Sequence, residues 1–131
     1  LVLMMNIVSM DKINDIKDLK WSNRVLVIRA EGKIDLSDKV SPFKEKFEER
    51  DFIVVYVRKQ KTFIKNKIMS KTFSKSLFQK IKNINSNQYF ILIGKDGQVK
   101  NSYPSSIEVE KILYDVDEMP MRKYEMIIRK K

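Results

Sequence analysis

Three short apolar runs constrain this chain most strongly. Residues 25–28, 52–57 and 90–93 consist of β-branched, aromatic and leucine side chains, and no polar residue alternates with them. This pattern is typical of strands whose two faces are both covered by helices. The chain is therefore expected to form a central sheet between two helical layers.

Helical periodicity is present in the segments between these runs and in the segment after the third run. Pro42 predicts that the first helix begins near residue 42, because proline fits the first turn of a helix better than its interior. The apolar positions that recur every three or four residues are Leu36, Val40, Phe43 and Phe47; Phe73, Leu77, Phe78, Ile81 and Ile84; and Val109, Ile112, Leu113 and Val116.

Three further segments complete the prediction of local structure. Residues 59–67 are polar and basic without a clear period, and we interpret them as a loop. Asp96-Gly97, between the third apolar run and a short alternating segment, is a strong hairpin signal. The last segment, residues 122–129, predicts a short helical turn that carries Tyr124, Ile127 and Ile128 inward.

The resulting order is strand, helix, strand, helix, strand, strand, helix. Because right-handed crossovers are nearly obligatory, it predicts a three-layer α/β/α domain with a central, mostly parallel sheet and an antiparallel C-terminal hairpin. This order of elements is the one found in thioredoxin-like domains, an analogy at the level of the fold.

We assign residues 19–131 to this single domain. The preceding segment, residues 1–18, opens with LVLMMNIVSM and is either the remnant of a signal peptide or an edge strand.

Composition limits the chemistry that such a domain can perform. The chain has no cysteine and no histidine. Thiol redox activity, zinc–thiolate sites and an imidazole base are therefore excluded, and a catalytic site would need Asp, Glu, Lys, Tyr, Ser or Thr. Asp115 and Asp117 do not predict a metal site, because positions i and i+2 of a helix point in different directions. We expect no catalytic residue, no cofactor and no metal.

The charge balance predicts an anionic partner. Twenty-seven lysines and arginines face seventeen acidic residues, which gives a formal net charge of +10. Such a surface attracts acidic proteins, polysaccharides, lipid headgroups and nucleic acids. The absence of any known nucleic-acid-binding motif makes nucleic acid the less favoured partner. The candidate partner surface is the basic segment that contains Lys59, Lys61, Lys65 and Lys67.

Four stretches, residues 19–26, 49–51, 93–100 and 116–126, resemble the P-DUDES family. These are thioredoxin-like domains of unknown function in bacterial proteins, related to the C-terminal modules of sushi-repeat-containing proteins. The resemblance implies that the fold lacks the redox cysteines and that the motif residues are structural. Those residues are Trp21, Arg24, Arg50, Asp51, Gly94, Lys95, Asp96, Gly97, Lys100, Asp117, Met119, Pro120, Met121, Arg122 and Glu125.

Asp51 beside Arg50, and Asp117 near Arg122, are expected to form structural salt bridges. Arg122 is expected to dock the C-terminal turn against a carboxylate, with Trp21 capping the core nearby. The favoured function is a non-catalytic binding or accessory module, secreted or periplasmic. The alternatives are an enzyme that uses Asp, Lys or Tyr, and a cytosolic nucleic-acid-binding protein.

Overall fold

A six-stranded sheet forms the centre of the computed structural model, which describes residues 12–30 and 36–129. A 3-10 helix, Ile16–Leu19, precedes the sheet, and a second one, Ser41–Phe43, joins the first two helices. The strands are β1 (Arg24–Arg29), β2 (Phe52–Arg58), β3 (Lys61–Ile64), β4 (Lys67–Ile68), β5 (Phe90–Ile93) and β6 (Val99–Tyr103). The helices are α1 (Ser37–Val40), α2 (Lys44–Glu49), α3 (Lys71–Ile81), α4 (Val109–Asp117) and α5 (Pro120–Arg129).

The sheet is mixed, so the prediction of a mostly parallel sheet is wrong. In the strand order β4-β3-β2-β1-β5-β6, only β1 and β2 pair in parallel. The segment between α3 and β5 brings the chain to the end of the sheet where β1 finishes, and Arg29 donates hydrogen bonds to the carbonyl oxygens of Ile84, Asn85 and Gln88 there. Consequently β5 starts where β1 ends and runs in the opposite direction.

The predicted α/β class is confirmed, and the topology is thioredoxin-like. The four strands β2-β1-β5-β6 combine one parallel pair with an antiparallel C-terminal hairpin. Helices lie on both faces of this sheet and form two separate hydrophobic clusters. The third apolar run and the hairpin after it are thus correctly predicted as neighbouring strands.

Alternation along β1 divides the core between the two faces. Val25 and Val27 pack in the cluster under α3, whereas Leu26 and Ile28 pack in the cluster under α1, α2 and α4. Ile13 and the first 3-10 helix also contribute to the α3 cluster, so the folded core begins upstream of residue 19. Residues 1–11, on which the signal-peptide and edge-strand predictions largely rest, lie outside the described residues.

The basic segment at residues 59–67 is not a loop; it forms two tight hairpins. Two-residue turns at Lys59-Gln60 and Lys65-Asn66 connect β2 to β3 and β3 to β4. All four turn residues have positive φ between 49° and 65°, the geometry of type I′ turns. Glycine usually marks such turns, and neither of these contains one, which explains why the sequence pattern missed both strands.

Helix α5 is oriented opposite to the prediction. Tyr124, Ile127 and Ile128 are exposed, whereas Arg122 is buried. The charged face of the helix turns toward the domain because its side chains form ion pairs with Arg24, Lys95 and Asp117. No helix within residues 12–30 and 36–129 combines the length and apolarity needed to cross a membrane.

Candidate functional site

A basic groove lies between the β3–β4 hairpin and α3 and has a volume of about 690 Å³. Its apolar contribution comes from Ile68, Met69 and Phe78. Four lysines and three uncharged polar residues complete the lining: Lys59, Lys61, Lys71, Lys75, Gln60, Ser74 and Gln79. An apolar surface framed by cations suits a ligand that carries both acidic and apolar groups.

One buried and one partly buried hydrogen bond hold the two walls of this groove in place. The hydroxyl groups of Thr62 on β3 and Ser74 on α3 lie 2.8 Å apart and are buried. Ser70 caps α3, and its side chain accepts a hydrogen bond from the backbone N–H of Phe73 at 3.1 Å. The groove is therefore part of the folded scaffold and does not depend on a loose loop.

The groove has a one-sided electrostatic character. No carboxylate occurs among its lining residues, and Lys71 and Ser74 from the first turn of α3 belong to one wall. A helix N-terminus adds positive potential to that of nearby lysines. Two of the predicted partner residues, Lys59 and Lys61, line the groove, whereas Lys65 and Lys67 lie exposed on the neighbouring turn and edge strand.

The motif residues assemble elsewhere, in a charged cluster at the opposite end of β2. Arg24, the first residue of β1, is only 1% exposed and forms a bidentate ion pair with Glu125 of α5 at 3.0 and 3.2 Å. Lys95, also buried, lies 2.7 Å from Glu125 and 2.8 Å from Asp51. Arg129 completes the cluster at 2.6 Å from Asp51. These contacts join β1, the β5–β6 turn and α5 to the turn that precedes β2.

A second group of ion pairs extends this cluster to α4. Arg50 forms a bidentate pair with Asp117 at 2.8 Å on both oxygens, and the Nε of Arg122 donates to Asp117 at 3.2 Å. Arg122 thus docks α5 against a carboxylate, the geometry expected for it. Asp51, next to Arg50 in the sequence, pairs instead with Lys95 of the β5–β6 turn and Arg129 of α5.

The surrounding cations lower the pKa values of the clustered carboxyls. Burial works against ionisation of Asp51 and Glu125, but hydrogen bonds from Lys95, Arg129 and Arg24 outweigh it, so both pKa values lie below their ordinary range. The hydrogen bond from Arg50 is the main reason that the pKa of Asp117 is also lowered. The three carboxyls are consequently ionised and paired with cations at neutral pH.

The two aspartates of α4 serve different partners, in keeping with the argument against a shared metal. Asp115 accepts hydrogen bonds from Tyr103 at 2.6 Å and Lys111 at 2.8 Å, whereas Asp117 belongs to the charged cluster. Burial, and then the contact with Asp115, raises the pKa of the Tyr103 hydroxyl.

The remaining motif residues form the β5–β6 turn and the start of α5. Asp96 pairs with Lys100 at 2.6 Å, and Gly97 takes the positive φ of 81° that the turn requires. Gly94 is buried directly after β5, Met119 lies between α4 and α5, and Pro120 and Met121 are the first two residues of α5. The prediction that Trp21 caps the core is wrong. Its side chain is exposed, and its backbone φ is 71°.

Sequence reasoning missed several contributors to both features. Lys71 and Lys75 were not predicted as part of the partner surface, because their place beside Lys59 in the groove depends on the two hairpins that the pattern did not predict. Arg129 joins the charged cluster 78 residues away from Asp51. The one available signal was its spacing from Arg122 and Glu125, which places all three on one face of a helix.

A comparison with protein-family models now places the chain. Residues 15–125 match the model described as "Domain of unknown function (DUF4174)". The chain belongs to this family. The match covers the charged cluster up to Glu125 and the entire basic groove of the DUF4174 domain.

Two other comparisons add little to this assignment. No curated protein matches the sequence. Among solved structures, the domain is similar to the one described as "Crystal structure of Trgpx in apo form", with 20% identity and a TM-score of 0.48 over 76% of this chain and 80% of the other.

Proposed function

We propose that this DUF4174 domain is a non-catalytic binding module whose basic groove takes up an acidic polypeptide segment. The observation that carries the proposal is the lining of the groove: four lysines, no carboxylate and an apolar floor. An extended peptide with alternating acidic and apolar side chains satisfies both parts of this lining. A polysaccharide or a nucleic-acid backbone offers little to Ile68, Met69 and Phe78.

The non-catalytic part of the proposal rests on the residues available. A chain without cysteine and histidine lacks the thiol chemistry associated with its fold and the commonest base near neutral pH. The conspicuous ionisable groups, those of the charged cluster, are engaged with one another in ion pairs.

The proposal also covers the finer family assignment and the cellular location. We place this family with the P-DUDES type because all four motif stretches occur in order within the domain, and profile comparison between the two families tests that assignment. We place the protein outside the cytoplasm because of its apolar opening segment. Fractionation of cells that produce the full-length gene product with a C-terminal tag tests the location.

Binding to a labelled peptide of alternating glutamate and leucine residues tests the groove. We expect fluorescence anisotropy to show saturable binding that weakens as salt rises, because screening reduces exposed charge–charge attraction. The double variant Lys59→Glu/Lys75→Glu should lower the affinity by about tenfold, since each exposed charge contact contributes up to ~1 kcal/mol.

The matched control is Lys44→Glu/Lys46→Glu, which makes the same change in net charge on exposed positions of α2. It should bind the peptide much as the unmodified protein does. Equal losses in both variants would show that only net charge matters, and the groove would then have no special role. Tighter, groove-dependent binding to duplex DNA would instead favour nucleic acid as the partner.

A further inference from the structure

Helix α5 exposes an apolar stripe. Tyr124 is 65% exposed and Ile127 is 58% exposed, and Met121 and Ile128 lie beside them on the same face. Residues at 121, 124 and 128 follow the i, i+3, i+7 spacing of one helical face. A domain normally turns such a stripe toward its core, so this exposed apolar face is a candidate binding surface.

The buried side of α5 explains why the stripe cannot turn inward. Arg122, Glu125 and Arg129 on the opposite face are held by charged partners on β1, on α4, in the β5–β6 turn and in the turn before β2. Rotating the helix to bury its apolar stripe would break this charged cluster and leave buried Arg24 and Lys95 without Glu125. The ion pairs therefore fix the apolar face toward the outside.

Trp21 lies at the same end of the sheet. Its backbone N–H donates to the carbonyl oxygen of Lys95 at 2.6 Å, and the side chain of Lys95 reaches Glu125 of α5. The indole is 62% exposed, with the ammonium of Lys20 5.2 Å from the ring centroid. On α5, Lys123 is exposed beside the stripe. Aromatic and aliphatic side chains bordered by lysines thus share one end of the molecule.

We propose that this end of the domain, formed by Trp21 and the apolar face of α5, binds the surface of an anionic lipid membrane. Trp and Tyr side chains favour the interface between lipid and water, and neighbouring lysines are attracted to acidic headgroups. The net charge of +10 favours such a surface and opposes the pairing of two copies through this face. This site lies at the opposite end of β2 from the basic groove and does not depend on the proposed function.

The single tryptophan of the chain reports on this contact directly. The protein is mixed with vesicles of phosphatidylcholine alone or of an equimolar mixture with phosphatidylglycerol. We expect a blue shift of Trp21 emission only with the anionic vesicles, together with quenching by lipids brominated near the headgroup end of their acyl chains. An emission spectrum unchanged by anionic vesicles would overturn the proposal, whatever any variant does.

Two variants locate the contact. Tyr124→Ser/Ile127→Ser removes apolar surface that is already exposed, so the fold should persist while binding to anionic vesicles in a sedimentation assay falls by about tenfold or more. The matched control is Ile68→Ser, because Ile68 is 59% exposed but lies in the basic groove. Equal losses of vesicle binding in the two variants would overturn the assignment to α5.

The same variants separate lipid binding from self-association. Suppose that the protein does not bind vesicles but forms dimers in sedimentation velocity, and that Tyr124→Ser/Ile127→Ser abolishes these dimers. The stripe is then a protein interface, and the lipid proposal is wrong. The groove variant Lys59→Glu/Lys75→Glu and the control Lys44→Glu/Lys46→Glu both lower the net charge from +10 to +6, so the two should bind anionic vesicles equally well, and this equality keeps the proposal distinguishable from the first.

Discussion

Arg24 shows how a single charged residue organises one end of this domain. It begins a strand whose next four residues are fully apolar, and it is as buried as they are. Burial of an isolated charge is very costly, but Arg24 meets a bidentate carboxylate and also donates to the backbone carbonyl of Arg50 at 3.0 Å. Its carboxylate partner lies 101 residues further along the chain, so local sequence could not reveal it.

Glu125 is accordingly the residue whose loss should cost the most. Glu125→Gln removes the negative charge between buried Arg24 and Lys95, and we expect a loss of about 3 kcal/mol in the free energy of unfolding. Urea denaturation measures this value. Glu118→Gln is the matched control, because Glu118 is 54% exposed and its ion pair with Lys123 is long, at 3.8 Å. This substitution should lower the free energy of unfolding by less than ~1 kcal/mol. Similar small losses in both variants would mean that the cluster contributes little to stability.

Helix α5 illustrates, at the level of an element, the limit of periodicity arguments. Its sequence has one apolar and one charged face, so the pattern correctly indicates a helix. Which face turns inward depends on the side chains that the rest of the domain places against the helix, and here β1, the β5–β6 turn and α4 carry charges. The β3–β4 hairpin was missed for a different reason, since three exposed lysines, Lys61, Lys65 and Lys67, obscure the alternation of this short edge hairpin.

The docking of α5 should weaken in acid. The folded-state pKa values of Glu125, Asp51 and Asp117 lie below their ordinary values of 4.5, 3.8 and 3.8. A lowered folded pKa gives stability that is complete above the unfolded pKa and is lost as the pH falls through the folded pKa. We therefore expect the free energy of unfolding to be constant above about pH 5.5 and to fall steadily toward pH 3.

Urea denaturation across this pH range provides the measurement, and Glu125→Gln provides the control. The variant lacks one of the depressed carboxyls, so its stability should fall less between neutral and acid pH than that of the unmodified protein. Parallel pH profiles for the two proteins would show that Glu125 is not a source of the acid sensitivity.

For the whole molecule, the paired charges of the cluster contrast with a large unpaired excess at the surface. The net charge of +10 creates repulsion among exposed lysines, whereas the ion pairs around Arg24 are buried and poorly screened by salt. Added salt therefore relieves the repulsion more than it weakens the cluster.

We expect the thermal midpoint of unfolding to rise as sodium chloride increases from low concentration to about 0.5 M. Differential scanning calorimetry measures the midpoint, and Glu125→Gln should respond to salt in the same direction. A midpoint that falls with salt in the unmodified protein but not in Glu125→Gln would mean that salt acts mainly on the charged cluster.

The sequence alone determined the α/β class, the three main strands, the β5–β6 turn at Asp96-Gly97 and the exclusion of thiol and imidazole chemistry. These features depend on local periodicity or on the presence of an atom type, and both can be read along the chain. The direction of β5, the pairing of the motif charges, the outward face of α5 and the walls of the basic groove were decided only by tertiary structure. Each of these features depends on contacts between residues distant in sequence. The charged cluster and the orientation of α5 show the physical reason, because a charged side chain is buried only where a partner compensates its lost hydration.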